Sequence, residues 1–303
     1  MQADKLDHRL FLSSLSDEER QALNATSNSK SFAHLIVHLL MLATTGGIIA
    51  LKLPYWWLLL IPHGILLIFL FTLQHETIHR TVFTDRRAND AIAAFVGFLL
   101  LNPAIWFRYF HLAHHRHTND PKNDPELQGT KPETRRQYLV HLSGAPLWWS
   151  AIKTIVVNAF FARYETYIPS KARPRVVWEA RVHLTFYAMI LVVGVTFEMT
   201  NLLWLWIVPA LFGQPFLRLY LMAEHGHCPP VANMFENSRT TFTNLFVRRI
   251  AWNMPYHSEH HAIPTVPFHN LPRLNKLAKS HLKSTSSSYH DFHRDSLRKL
   301  RRT

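Results

Sequence analysis

The chain has 303 residues, 48% of them hydrophobic and 13% aromatic, with a formal net charge of +13. Dense Leu, Ile, Val and Phe clusters exclude global disorder, because such a chain can bury a core. A single cysteine, Cys228, excludes an internal disulfide framework and a Cys-based zinc finger, whereas 21 histidines call for an explanation.

Residues 1–32 are polar and lack the apolar core of a secretory signal; Ser16-x-x-Glu19 reads as a capping box starting a short soluble helix through Leu23. Apolar stretches follow at Phe32–Ala50 and Tyr55–Leu73, separated by Lys52 and Pro54. Each approaches the ~20 residues needed to cross ~30 Å of hydrocarbon, and their short connection makes them an antiparallel hairpin. The pattern repeats at His183–Met199 and Leu202–Met222. Trp56, Trp57, Trp204 and Trp206 stand at span ends, as an aromatic belt at the interface requires. A buried soluble helix pair would account for one such hairpin, but two with matching Trp residues favour a membrane protein. Ala91–Leu101 is too short to span and Ala145–Ala162 is interrupted by Lys153 and Asn158, so both read as interfacial or re-entrant helices.

Lys52 is the one basic residue in the two hairpin connections. The positive-inside rule therefore places both termini and the central region in the cytoplasm. The basic surface suits anionic lipid or an acidic protein partner, and no nucleic-acid motif accompanies it. The tail from His281 to Thr303 reads as a solvated basic helix without chemistry. The expected divisions are an N-terminal cytoplasmic segment (1–32), a membrane domain (33–275) and a basic C-terminal tail (276–303).

Three histidine clusters have metal-ligand spacing: His75-Glu76-x-x-His79, His111-x-x-His114-His115 and His257-x-x-His260-His261. On a helix, positions i, i+3 and i+4 fit within about 60° of arc, so each cluster should aim its imidazoles in one direction. All three lie just beyond the spans on one side of the membrane. His225, directly after the fourth span and at the depth of His75, is a ninth candidate. His117, His227 and His269 are weaker candidates, while His34, His38, His63, His183 and the tail histidines lack cluster spacing and read as structural or exposed. Neutral imidazole suits iron, zinc, copper or nickel, so the ligands alone do not choose the metal. Nine are too many for one tetrahedral zinc and enough for two metals with open positions.

Histidine ligands need acidic or amide partners to fix their tautomers. Glu76, Glu224 and Glu259 are adjacent to candidate ligands, and Asn253 precedes His257 by one turn. Asp120 and Asp124 could do the same from a loop, but NDPKNDPE reads first as ordinary Asx/Pro turns. Arg218, seven residues and roughly 10 Å before His225 on a helix, could snorkel to headgroups or meet an acidic substrate group.

The three boxes interleaved with two hairpins resemble the membrane fatty acid desaturase superfamily. FRYFHLAHHRHTNDP and WNMPYHSEHHAIPTVPFHNLP resemble bacterial acyl desaturases in particular, and the resemblance covers roughly residues 33–275. It implies a di-iron site on His75, His79, His111, His114, His115, His257, His260 and His261, with His225 as the ninth ligand. It further implies O₂ as co-substrate, a double bond introduced into a fatty acyl chain, and a separate electron donor of ferredoxin, rubredoxin or cytochrome b5 type. The third box begins with His257 and lacks the Gln of front-end desaturases; no fused cytochrome b5 segment is apparent, and with one cysteine any iron–sulfur donor must be another chain. Chemistry agrees: a site open to the bilayer meets long apolar chains, whose unactivated C–H bonds call for redox-active metal and O₂.

Three alternatives remain at this level. A hydroxylase or ketolase of an alkane, carotenoid or other lipid would use the same ligands. A zinc metalloprotease would use His75-Glu76-x-x-His79 with Glu76 as general base, but leaves two boxes unexplained. A metal transporter would place its sites near the bilayer midplane instead. The expected architecture is an all-α membrane protein with four transmembrane helices in two hairpins and a cytoplasmic helical cap holding a histidine-rich di-metal site.

Overall fold

A computed structural model describes residues 7–128, 132–161 and 164–301. Helices α1 (His8–Ser14) and α2 (Asp17–Asn24) precede the first span. The capping box at α2 forms in both directions: the Glu19 amide donates to Ser16 Oγ at 3.1 Å and the Ser16 amide donates to the Glu19 carboxylate at 3.0 Å. α3 (Asn28–Ala50) leads through a turn with left-handed Lys52 and Tyr55 into a single helical turn at Trp56–Leu59. α4 (Leu60–Ile68) and α5 (Leu70–His79) follow, and the run Trp56–His79 forms one span. The first box is therefore on the last turns of that span rather than beyond it.

Next come α6 (Arg86–Leu99), α7 (Ala104–His117), α8 (Arg135–Leu142), α9 (Ala145–Phe160), α10 (Arg173–Thr196) and α11 (Val208–His225). The chain closes with α12 (Met234–Asn237), α13 (Leu245–Ile250), α14 (His257–Ala262), α15 (Leu271–Ala278) and α16 (Tyr289–Lys299). A parallel pair of two-residue strands, β1 (Thr240–Thr241) and β2 (Thr285–Ser286), is a minor exception to an all-helical fold. Four runs are long and apolar enough to cross a membrane: Asp17–Ala50, Trp56–His79, Ser170–Thr196 and Leu203–His225. Their exposed faces are apolar, with Leu40 on α3 at 59% exposure and Val195 on α10 at 71%. Such faces are poorly tolerated in water and well solvated by lipid tails.

α11 packs along α4 and so joins the two hairpins, α3 packs on α4 within the first hairpin, and α10 lies against α9. Glycine permits the first pairing: a Cβ on Gly64 would collide with the Pro209 carbonyl, and one on Gly213 with the Gly64 carbonyl. Backbones touch where small residues face each other, the usual means by which membrane helices associate. The helix that carries the third span begins earlier than the apolar stretch, at Arg173 rather than His183.

The tip of α6 packs against Tyr187 of α10 and against Trp206 in the helical turn Leu203–Ile207 that precedes α11. α6 and α7 meet at a bend of 101°, consistent with a re-entrant segment. A helix end within a bilayer leaves carbonyls and amides that water cannot reach, so the protein must satisfy them. Tyr187 Oη donates to Phe98 O and Trp206 Nε1 donates to Leu99 O, each at 2.7 Å. The Gln74 amide exchanges hydrogen bonds with Asn102, at 2.7 Å to its carbonyl and 2.9 Å from its side chain. At the start of α7, the Glu179 carboxylate accepts from the Ile105 amide at 2.9 Å. The apolar stretch 145–162 is helical to Phe160, and its last residue lies outside the described ones.

Three of the isolated histidines tie different segments together, and the fourth, His183, bonds within its own helix α10. His34 meets Arg249 O at 2.7 Å, His38 meets Leu66 O at 2.9 Å, His63 lies between Thr45 Oγ1 and Leu205 O, and His183 meets Glu179 O at 2.9 Å. The C-terminal helix is not simply solvated. α16 docks on α11, burying Phe292 and Ser296, and His293 bridges Leu219 O and Tyr138 Oη at 2.9 Å each.

Candidate metal centre

Four helices bring the nine candidate histidines together. His75 and His79 stand on α5, His111, His114 and His115 on α7, His257, His260 and His261 on α14, and His225 ends α11. They form two groups, each with its ligand atoms within 4.8 Å of one another: His75, His79, His111, His115 and His260, and His114, His225, His257 and His261. The second and third boxes therefore do not point one way. α7 gives its i, i+4 pair to the first group and His114 to the second, whereas α14 gives His260 to the first and its i, i+4 pair to the second. His115 and His261 stack between the groups with ring centroids 4.1 Å apart.

The end of α11 is fixed so that His225 reaches the centre. Arg239 donates to Ala223 O at 3.1 Å and to Gly226 O at 2.7 Å, placing a cation on the carbonyl end of the helix. His225 Nδ1 lies 3.2 Å from Asn237 O, and because a carbonyl only accepts, Nδ1 carries the proton and Nε2 presents its lone pair. His114 is set the same way by Asp124, whose Oδ1 accepts from Nδ1 at 2.9 Å. His261 Nδ1 lies 3.1 Å from Thr118 Oγ1, and Thr118 spends its own hydrogen on His114 O at 2.9 Å. Glu224 Oε1 stands 3.4 Å from His257 Nδ1.

In the first group, Glu76 is completely buried between two boxes. Its Oε1 lies 3.7 Å from His75 Nδ1 and 3.6 Å from His260 Nδ1, while Oε2 accepts from the Phe268 amide at 3.0 Å and from Thr81 Oγ1 at 3.3 Å. Oε2 is thus held by hydrogen bonds, while Oε1 faces the two imidazoles beyond hydrogen-bond distance and has no hydrogen-bond partner among the described residues.

Two metal ions fit this donor set. His111 and His115 bring their Nε2 atoms to 2.8 Å, His257 and His225 to 2.9 Å, and His114 and His225 to 3.1 Å. Nitrogens bound at ~2.1 Å and at right angles around one ion would stand about 3 Å apart. His75 Nε2, His79 Nε2 and His261 Nε2 are buried with no hydrogen-bond partner among the described residues. Burial, then the charge of neighbouring histidines, pushes His257, His260 and His261 well below the usual imidazole range. They are thus neutral, the form that binds metal.

Several expected residues play other parts. Glu259 turns away from the imidazoles and accepts from Thr240 Oγ1 and Asn275 Nδ2, anchoring α14 to β1 and α15. Asn253 donates to Phe268 O at 3.1 Å and meets no imidazole. Asp120 is a turn residue, accepting from the Lys122 amide at 2.9 Å and from Asn123. Asp124, by contrast, is buried against His114 and also accepts from the Asn119 and Glu126 amides. His117, His227 and His269 belong to neither group; His227 meets Ser296 and His269 meets Asn270. Thr118, Asn237 and Thr81 escaped sequence reasoning. Thr118 alone left a trace there, one turn after His114 in HRHTNDP.

The sequence of the Fatty acid desaturase family matches residues 50–293. Relatives include a sphingolipid delta(4)-desaturase of Komagataella phaffii, 25% identical over 69% of this chain and 57% of the relative. Another, from Drosophila melanogaster, is a sphingolipid delta(4)-desaturase 26% identical over 75% of this chain and 68% of the relative. A Homo sapiens sphingolipid delta(4)-desaturase/C4-monooxygenase is 26% identical over 67% of this chain and 59% of the relative. The similarity thus spans about three fifths of these relatives' own lengths. With most of its length matched, from the second span to α16, the chain belongs to the fatty acid desaturase family.

Proposed function

We propose that the chain is a membrane oxidoreductase that introduces a double bond into a fatty acyl or similar long chain of a lipid. The observation that carries this reading is the convergence of nine imidazoles into two groups, with His75, His79 and His225 on the last turns of two spans and the other six on α7 and α14. The nine are proposed as ligands of two iron ions, His75, His79, His111, His115 and His260 to one and His114, His225, His257 and His261 to the other. When bound, the iron would supply redox chemistry with O₂ that imidazole and carboxylate cannot. Overall, two hydrogens leave adjacent carbons, and O₂, two external electrons and two protons become two waters.

The chain's own residues contribute position and exclusion. Asp124, Asn237 and Thr118 hold imidazoles with Nε2 facing inward, Glu76 places a carboxylate oxygen beside both His75 and His260, and the buried α5, α7 and α14 faces keep bulk water away. Charge placement supports both termini and the histidine groups on the cytoplasmic side of the membrane, a bacterial inner membrane in our reading. A separate ferredoxin, rubredoxin or cytochrome b5 type donor would dock on that basic side. A domain spanning 33–275 with short flanking segments remains our division, α16 being docked onto it.

Hydroxylation is the second reading, favoured by one observation: the human relative is named both desaturase and C4-monooxygenase. Lipid mass spectrometry after expression of wild type and His260→Ala separates the two. A product about 2 Da lighter, absent from the variant, supports desaturation, and one about 16 Da heavier supports hydroxylation in its place.

A further inference from the structure

Beyond the histidines, one cluster of buried polar groups has no role in the metal centre. The elbow between α8 and α9 presses on α11: a Cβ on Gly144, which takes a left-handed φ of 72°, would collide with the Gln214 side chain. Gln214 is 1% exposed. Arg218 is one turn further along the same face of α11, and Trp148 is one turn into α9, its amide bonded to Gly144 O at 3.0 Å. Gln214 Nε2, Arg218 Nε and Trp148 Nε1 are all buried, and none has a hydrogen-bond partner among the described residues. Each is a donor. The carboxylates whose charge Arg218 feels, Glu126 and Glu224, lean instead on His114 and His257 at 3.7 and 3.4 Å. His141, at the end of α8, feels Arg218 too: burial first, and then that charge, push its pKa down to about 4. The elbow therefore offers a positive charge and three buried donors that no acceptor meets in a hydrogen bond among the described residues.

We propose that Arg218, Gln214 and Trp148 form a binding site for the acceptor oxygens of a lipid head region, a carboxylate, phosphate or amide carbonyl. Arg218 stands seven residues, about 10 Å, before His225 along α11, so a head held there leaves its chain free to run toward the histidines. The planar guanidinium suits such oxygens better than an ammonium would. Resting on the desaturase reading, the site would also fix how far from the head the reacting carbons lie.

The test uses full-length, iron-loaded protein in detergent, with palmitate, phosphatidylcholine and a ceramide as separate probes and retained lipid measured by native mass spectrometry. Wild type should retain at least one probe saturably, and which one distinguishes carboxylate, phosphate and amide carbonyl. Arg218→Gln and Gln214→Leu should each weaken retention about tenfold or more, and Arg218→Lys should restore part of it. Lys52→Gln, at the opposite end of the spans, should change nothing, and unchanged iron content certifies folding. Equal retention by wild type and Arg218→Gln overturns the site, as does retention of no probe by wild type. Lost retention in Arg218→Gln with no unsaturated product from wild type would leave the site standing and the desaturase reading refuted. Normal product with unaltered retention refutes the site alone. Where wild type makes one double-bond isomer, Arg218→Gln should make several.

Discussion

His114 Nδ1 and Asp124 Oδ1 lie 2.9 Å apart, both side chains buried, ten residues distant along the chain. Burial pushes the Asp124 carboxyl up, but the His114 hydrogen bond and charge, with the Glu126 and Asn119 amides, outweigh it and hold the group below the usual carboxylate range. Asp124 is thus an anion that fixes His114 through Nδ1 and turns its Nε2 toward His225, 3.1 Å away. Against burial, Glu126 and the same carboxylate raise the His114 pKa, so a metal ion must displace the Nε2 proton. Asp124→Asn must turn an NH₂ toward one of those donors. Metal affinity should fall about 10–100-fold, with the helical content unchanged. Competition with a chelator measures this; undiminished affinity would remove Asp124 from the account.

The neutral histidines give the metal-free protein a defined pH dependence. His257, His260 and His261 have folded-state pKa values well below the ordinary 6.5. Above 6.5 both folded and unfolded chains hold them neutral, so their contribution is fully present there. As pH falls below 6.5 the unfolded chain takes up protons that the folded chain refuses, and stability declines until the folded pKa values are reached. Each such histidine contributes at most about 1.4 kcal/mol per pH unit. The midpoint of thermal unfolding of the apoprotein should therefore drop between pH 6.5 and 5 and stay level from pH 7 to 8. A midpoint that rises on acidification contradicts the assignment.

Gly213→Ala tests the closest helix contact in the fold. The new methyl group would meet the Gly64 carbonyl and the Ile65 amide, backbone atoms that cannot step aside. α11 must then move off α4, carrying His225 with it. A loss of about 1–3 kcal/mol is expected. Gly47→Ala, with nothing within 4 Å of its Cβ, is the matched control and should be neutral. Thermal unfolding in detergent compares the pair, and equal midpoints would show that the contact does not constrain the helices.

Box spacing made the ligands legible because i, i+4 geometry is local to one helix. His75 with His79, His111 with His115 and His257 with His261 each share a group. What joins helices was not legible. Glu259 is next to His260 in sequence, but consecutive residues differ by about 100° around a helix, and that rotation points it at Thr240 and Asn275. Asp124 reaches His114 only because a loop folds back, which turn propensities do not reveal. The partner of α11 depended on two glycines 149 positions apart, Gly64 and Gly213, that look ordinary in either span alone. The docking of α16 likewise rests on Phe292 and His293 meeting a surface of distant origin.

The central claim is that nine histidines hold two metal ions in groups of five and four. Metal analysis of protein purified from iron-replete cells tests it most directly, with His79→Ala emptying the first group and His261→Ala the second. Wild type should carry about two iron atoms per chain, and each variant about one. A single zinc in wild type, or unchanged iron in both variants, would contradict the account.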